Sequence, residues 1–140
     1  MESTKITVQA VVQAPIERVW SYWTEPKHIT KWNQASDDWH APHAENDLRA
    51  GGKFLTRMEA KDGSMGFDFI GVYDDVKQHE LISYILEDGR KVEISFIDLG
   101  GETRVVETFD AEDTNPVELQ QAGWQAILDN FKQYSETELQ

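Results

Sequence analysis

The sequence predicts an α+β fold, with a curved antiparallel sheet wrapped round one long C-terminal helix. Three observations predict it. Between Lys53 and Phe109, apolar residues alternate in short runs separated by Asp-Gly and Gly-Gly turn signals. Ahead of that region, one alternating strand leads into two short helical segments divided at Glu25-Pro26. After it, from Pro116 to about Ser135, apolar residues recur at helical spacing.

Each element follows from its local pattern. Ile6, Val8, Ala10 and Val12 alternate with Lys5, Thr7, Gln9 and Gln13, which predicts a strand with one apolar face. Pro15 suits the first position of a helix carrying Ile16, Val19, Trp20 and Trp23, and Glu17 lies in its first turn. That helix stops at Glu25, because proline disfavours helix in the residue before it. Pro26 opens a second short helix with Ile29 and Trp32. Residues Asn33 to His43 show no period and read as a loop. Gly51-Gly52 precedes a strand from Lys53 to about Ala60, with Phe54, Thr56 and Met58 on one face. Asp62-Gly63 turns the chain into an antiparallel partner, Met65 to about Val76. Strands follow at Leu81–Leu86, Lys91–Ile97 and Thr103–Phe109, turning at Asp88-Gly89 and Gly100-Gly101. In Asn115-Pro116-Val117-Glu118, Asn115 reads as N-cap and Pro116 as first helical residue. Val117, Trp124, Ile127, Leu128, Phe131 and Tyr134 then share a stripe on a helix roughly 30 Å long.

Composition narrows the class of function. The chain has 140 residues, predicting a single domain over 1–140 that buries about two-thirds of its unfolded surface. It carries 26 acidic against 13 basic residues, a net charge of -13. That balance argues against nucleic acid, which needs lysine and arginine to displace counterions, and against an anionic membrane surface. No run of about 18 apolar residues predicts membrane insertion. With no cysteine, disulfides, thiolate zinc sites and cysteine nucleophiles are excluded. Together with a polar N-terminus, this predicts a cytoplasmic protein.

The segment Ala14, Pro15, Glu17, Val19, Trp20, Trp23, Thr24, Pro26, His28 and Trp32 resembles a known pattern. It is similar to bacterial single-domain members of the family named after activators of the 90-kDa heat-shock protein ATPase. That family lies in the START and birch-pollen-allergen superfamily (SRPBCC). Gly51-Gly52, Phe54, Asp62-Gly63, Gly71, Tyr73, Thr103-Arg104-Val105 and Gly123-Trp124 extend the resemblance over nearly the whole chain. It implies a helix-grip fold in which sheet and terminal helix enclose a largely apolar cavity. Relatives in the superfamily bind lipids, sterols, hormones or polyketides, and some are cyclases or hydratases. The eukaryotic namesakes act on a chaperone through several domains, which leaves a protein partner open.

The candidate ligand-binding residues are first an aromatic set: Trp20, Trp23, Trp32, Phe54, Phe67, Phe69, Tyr73, Tyr84, Phe96 and Trp124. Met58 and Leu128 add apolar lining, and Trp39 with His40 is placed at the mouth. Aromatic residues at these periods also build ordinary cores, so the set rather than any one member carries the expectation. Glu107 is the principal charged candidate. Period two puts Val105, Glu107 and Phe109 on one face and Arg104, Val106 and Thr108 on the other, so one face or the other brings a charge inward. An inward Glu107 would have its pKa raised by desolvation and could bind or shuttle a proton, whereas an edge-exposed Glu107 would do neither. Asp68 poses the same question on its own strand.

His40 and His43 among nearby acids resemble a metal cluster but lack a third ligand at diagnostic spacing, so no metal is expected. His28 is expected to make a structural hydrogen bond. No glycine-rich phosphate loop, dinucleotide motif or nucleophile elbow occurs, and no cofactor is expected. The sequence therefore points to non-covalent binding of a small hydrophobic or amphipathic molecule, oriented by Glu107 and Tyr84. The bent helices around Trp23 and Trp32, with the Asn33–His43 loop, would form the gate. Two alternatives stay open: a cyclase, hydratase or hydrolase using Glu107, and a chaperone- or stress-related interaction domain.

Overall fold

Alternating apolar side chains in successive segments assemble into one seven-stranded antiparallel sheet. The computed structural model describes residues 4–33, 38–112 and 115–137. In chain order the elements are β1 (Lys5–Val12), α1 (Ile16–Thr24), α2 (Pro26–Trp32), β2 (Trp39–Asn46), β3 (Lys53–Ala60), β4 (Gly66–Lys77), β5 (Leu81–Leu86), β6 (Lys91–Asp98), β7 (Thr103–Asp110) and α3 (Val117–Thr137). The sheet order is β1-β7-β6-β5-β4-β3-β2, so the first strand pairs with the last and α1–α2 carry the chain to the far edge. The sheet curls round α3 as a helix-grip fold.

β1 is an edge strand, and α3 satisfies carbonyls along it. Gln121 Nε2 donates to Thr7 O at 3.2 Å, Gln125 Nε2 to Gln9 O at 3.2 Å, and Lys132 Nζ to Val11 O at 2.8 Å. Alternate carbonyls of a strand point the same way, so three side chains along one helix can reach them. The edge is thereby closed to another strand. Lys5 and Asp110 form an ion pair at the open end of the same ladder.

Three local expectations are corrected. First, residues 39–43 of the supposed loop belong to β2, while 34–37 lie outside the described residues. A register shift between His40 and His43 breaks the alternation, and Pro42 is accommodated because β2 is the other edge of the sheet. Second, the carbonyl of Pro116, not Asn115, accepts the first amide bonds of α3, from Leu119 and Gln120. Asn115 turns its backbone and side-chain N–H to Glu112. Third, Val117 is 40% exposed, and the buried stripe begins a turn later at Gln120.

β4 changes face partway along. Gly71 and Tyr73 are buried, then a bulge between Tyr73 and Asp75 brings Val76 against the core. Gly71 is required by close approach: a Cβ there would lie 2.6 Å from Phe54 Cε2 and 3.1 Å from Ile85 O. Gly71→Ala is therefore expected to cost about 1–3 kcal/mol, because a ring and a backbone must both move. Gly123→Ala, with open space at its Cβ on α3, is expected to gain about 0.5–1 kcal/mol. Urea unfolding of both variants measures the two signs.

Candidate ligand-binding cavity

Parity on each strand decides which side chains face α3. On β7, Val105, Glu107 and Phe109 are buried and Arg104 is exposed, which settles the two-way choice in favour of an inward Glu107. On β3 the inward set is Phe54, Thr56 and Met58, and on β5 it includes Tyr84. Between this inner face and the helices lies a cavity of about 310 Å³. Its volume is at the lower end of the range for small-molecule sites.

The cavity wall takes Trp23 from α1, Trp32 from α2, and Phe54 and Met58 from β3. β4 contributes Phe67, Phe69 and Tyr73, β5 contributes Tyr84, β7 contributes Glu107, and α3 contributes Trp124. The other candidates sit elsewhere. Trp20 and Phe96 pack edge to face at 5.1 Å within the core, and Leu128 is 0% exposed. Trp39 is half-buried with its ring 6.0 Å from that of Phe67, outside the cavity lining. Asp68 faces outward, 3.3 Å from Arg57 Nη1. His43 Nε2 lies 2.7 Å from Glu45 Oε2, and His40 lies 3.8 Å from Glu59. Among the described residues no cluster of three or more His, Asp or Glu side chains is arranged to hold a metal.

Several wall residues were not singled out. Thr56 shares the parity of Phe54 and Met58, and Ile127 lies on the helix stripe, so both carried a usable signal. Ile29 was read only as a helix residue. Asn33 and Glu45 reach the wall from α2's end and from β2, Arg90 from the β5–β6 turn, and Glu112 from beyond β7. Only tertiary structure brings those four together.

Hydrogen bonds at their polar tips hold the large rings in place. Tyr73 Oη donates to Asn46 Oδ1 at 2.5 Å, and Asn46 Nδ2 donates to Thr24 O at 2.6 Å. Trp32 Nε1 donates to Tyr22 O at 2.9 Å, while its ring lies 4.9 Å from both Trp23 and Phe131. His28 Nδ1 shares a 2.6 Å hydrogen bond with the Tyr134 hydroxyl, in keeping with the structural role expected for it. Trp23 and Trp32 are thus anchored in the aromatic core. The most exposed aromatic side chain of the wall is Phe67, at 49%.

Glu107 stands apart from these tethered groups. It is 6% exposed, and among the described residues its carboxyl makes no hydrogen bond. Burial alone pushes its pKa up to about 8. Across the sheet its neighbours are Val8 on β1 and Ile94 on β6, both apolar. Burial also raises the Tyr84 phenol, and the nearby Glu107 adds to that rise.

Known proteins share this architecture. Residues 13–136 match the model of the family described as Activator of Hsp90 ATPase homolog 1-like protein. The chain belongs to that family. The Activator of Hsp90 ATPase homolog 1-like protein from Aeromonas hydrophila is 47% identical, with a TM-score of 0.90 over 96% of this chain and 93% of that one. Chr148 from Cytophaga hutchinsonii is 62% identical, with a TM-score of 0.83 over 96% and 94% of the two chains. Protein CV1439 from Chromobacterium violaceum, at 24% identity and a TM-score of 0.84 over 94% and 96%, shares the fold. No curated protein matches the chain. Activator of Hsp90 ATPase homolog 1-like proteins have the SRPBCC fold, which is typically ligand-binding.

The raised Glu107 pKa has a measurable consequence for stability. In the unfolded chain the carboxyl returns to about 4.5, while in the native state it keeps its proton to about 8. Between those values the native state binds more protons, so stability falls as pH rises, by about 1.4 kcal/mol per unit at most. The stabilisation is complete below about pH 4.5 and gone above about pH 8. Glu107→Gln is expected to remove this slope, leaving the variant about 2 kcal/mol or more ahead of the native chain at pH 9 and near parity at pH 5. Urea unfolding at the two pH values decides it; the same pH dependence in both proteins would be the contrary result.

Proposed function

We propose that this protein binds a hydrophobic or amphipathic small molecule, of lipid, polyketide or flavonoid-like character, non-covalently in the cavity. The observation that carries the reading is an aromatic-walled space of about 310 Å³ beside a core in which Phe109, Leu128 and Phe131 are fully buried. A ligand burying about 300 Å² of apolar surface there gains about 7 kcal/mol before association entropy is subtracted. Glu107 and Tyr84, polar groups in an apolar wall, orient it. Phe67, the most exposed ring of the wall, marks the entrance. The functional unit is taken as a single 1–140 domain in the cytoplasm, which suits a cysteine-free chain in which no described helix is long and apolar enough to cross a membrane.

A second reading draws on the Glu107 carboxyl, whose pKa near neutrality suits general acid–base catalysis on a bound substrate. Glu107→Gln with intact affinity but lost turnover would favour it.

The five tryptophans provide a built-in control for the binding reading. In an NMR titration against sterols, fatty acids, flavonoids and aromatic polyketides, saturable shifts are expected at the Trp23, Trp32 and Trp124 indoles. That of Trp20, off the cavity wall, is expected to stay in place. Ile127→Trp, which adds bulk to the wall at a half-buried position, is expected to weaken binding at least about tenfold with the fold retained. Uniform small shifts, or binding undiminished by Ile127→Trp, would remove the cavity from the function.

A further inference from the structure

The cavity's polar groups are unevenly signed. Three acidic side chains border it, Glu45, Glu107 and Glu112, against one cation, Arg90. Arg90 is already engaged, with its Nε donating to Asp88 Oδ2 at 2.7 Å. Glu112 accepts from Asn115 and Glu45 pairs with His43, so the two outer carboxylates have partners. Glu107, the deepest of the three, has no hydrogen bond among the described residues. A carboxyl buried among apolar neighbours is costly to ionise, and an occupant that places a positive charge beside it offsets that cost.

The rings of the cavity wall are compatible with the same sign. Phe54 and Tyr84 lie 4.7 Å apart, Phe69 lies 6.4 Å from Tyr84, and Trp124 lies 6.3 Å from Phe69. These are edge-to-face contacts, and an aromatic wall tolerates a cation better than an aliphatic one does, because a ring face carries negative potential. A ligand presenting a carboxylate would meet Glu45 and Glu112 as well as Glu107. The net charge of -13 also raises the local concentration of cations over anions.

We propose that the ligand is an organic cation, an ammonium group on an apolar ring-sized body, with its nitrogen set against the Glu107 carboxylate. This deepens the cavity-binding reading and rests on it. An ion pair at Glu107 requires the carboxyl to ionise, so the cation expels a proton when it binds below about pH 8. The other titratable or charged groups bordering the cavity are Tyr73 on β4, Tyr84 on β5, Arg90 in the β5–β6 turn, Glu45 on β2 and Glu112 after β7. Both phenols are shifted upward and stay neutral across this range. From α1, α2 and α3 the wall residues are Trp23, Ile29, Trp32, Trp124 and Ile127, none of which titrates.

The test compares benzyltrimethylammonium, whose charge is independent of pH, with neopentylbenzene, its neutral carbon isostere, using tryptophan fluorescence and indole NMR shifts. The cation is expected to bind at least about tenfold more tightly than the isostere at pH 9, and to lose about tenfold or more between pH 9 and pH 6.5. Glu107→Gln is expected to abolish the pH slope and cut the preference at least several-fold while still binding the isostere. An isostere that binds as tightly as the cation overturns the assignment and leaves the cavity reading standing. A cation preference that is flat with pH, or that is undiminished in Glu107→Gln, also overturns it. Binding of neither compound overturns the cation assignment, and the titration with sterols, fatty acids, flavonoids and aromatic polyketides then decides the cavity reading. Should the variant not fold, the isostere comparison and pH series on the unaltered chain carry the same decision.

Discussion

Edge-on contact between α3 and β1 is the constraint on which the rest of the molecule depends. Three α3 side chains take up the free carbonyls of β1, which ties the helix to one margin of the sheet. The opposite flank of α3 meets α1 and α2, through Phe131 with Trp23 and Trp32. Facing β3 and β4, the helix presents Trp124 and Ile127 across open space. The cavity is therefore the region that a helix fixed at one edge of a curled sheet leaves uncovered.

What keeps this space from collapsing is the stiffness of its walls. Tyr73 and Trp32 are each held at the polar tip by a hydrogen bond to a neighbouring element, so neither ring can swing inward without leaving a partner unpaired. Trp124 is stacked on Phe109 at 3.8 Å and an interplanar angle of 14°. Phe54 is pressed against the bare backbone of Gly71, which fixes its ring from behind. Glu107 resists collapse differently, since close apolar packing round it would deepen an already large desolvation penalty.

The sequence was most legible where one face of an element is buried and the other is not. β1, β3, β6 and β7 alternate cleanly, and their predicted limits fall within a residue or two of those observed. β2 was hidden because an edge strand with a bulge and a proline has no period to read. For the cavity, parity identified the correct faces but not depth. Trp124 and Leu128 lie one turn apart on the same stripe, yet one faces the void and the other is sealed in the core. Trp20 and Trp23 divide in the same way on α1. Arg90 and Glu112 carried no signal, because each reaches the wall from a turn or chain end whose position only the assembled sheet determines. Glu107 was legible as a choice between two faces, and its flanking residues Val105 and Phe109 decided it.

Pairing of β1 with β7 also has a consequence for synthesis. Lys5 meets Asp110 across 105 positions of sequence, so β1 is made well before β7, its neighbour in the ladder. At about 5–20 residues per second, β1 waits roughly 5–20 s with its apolar face unmatched. The helix that shields its outer edge arrives later still. Such high contact order slows folding and exposes the nascent chain to mispairing. The polar alternation of Lys5, Thr7 and Gln9 keeps one side of that waiting strand hydrated until the sheet is complete.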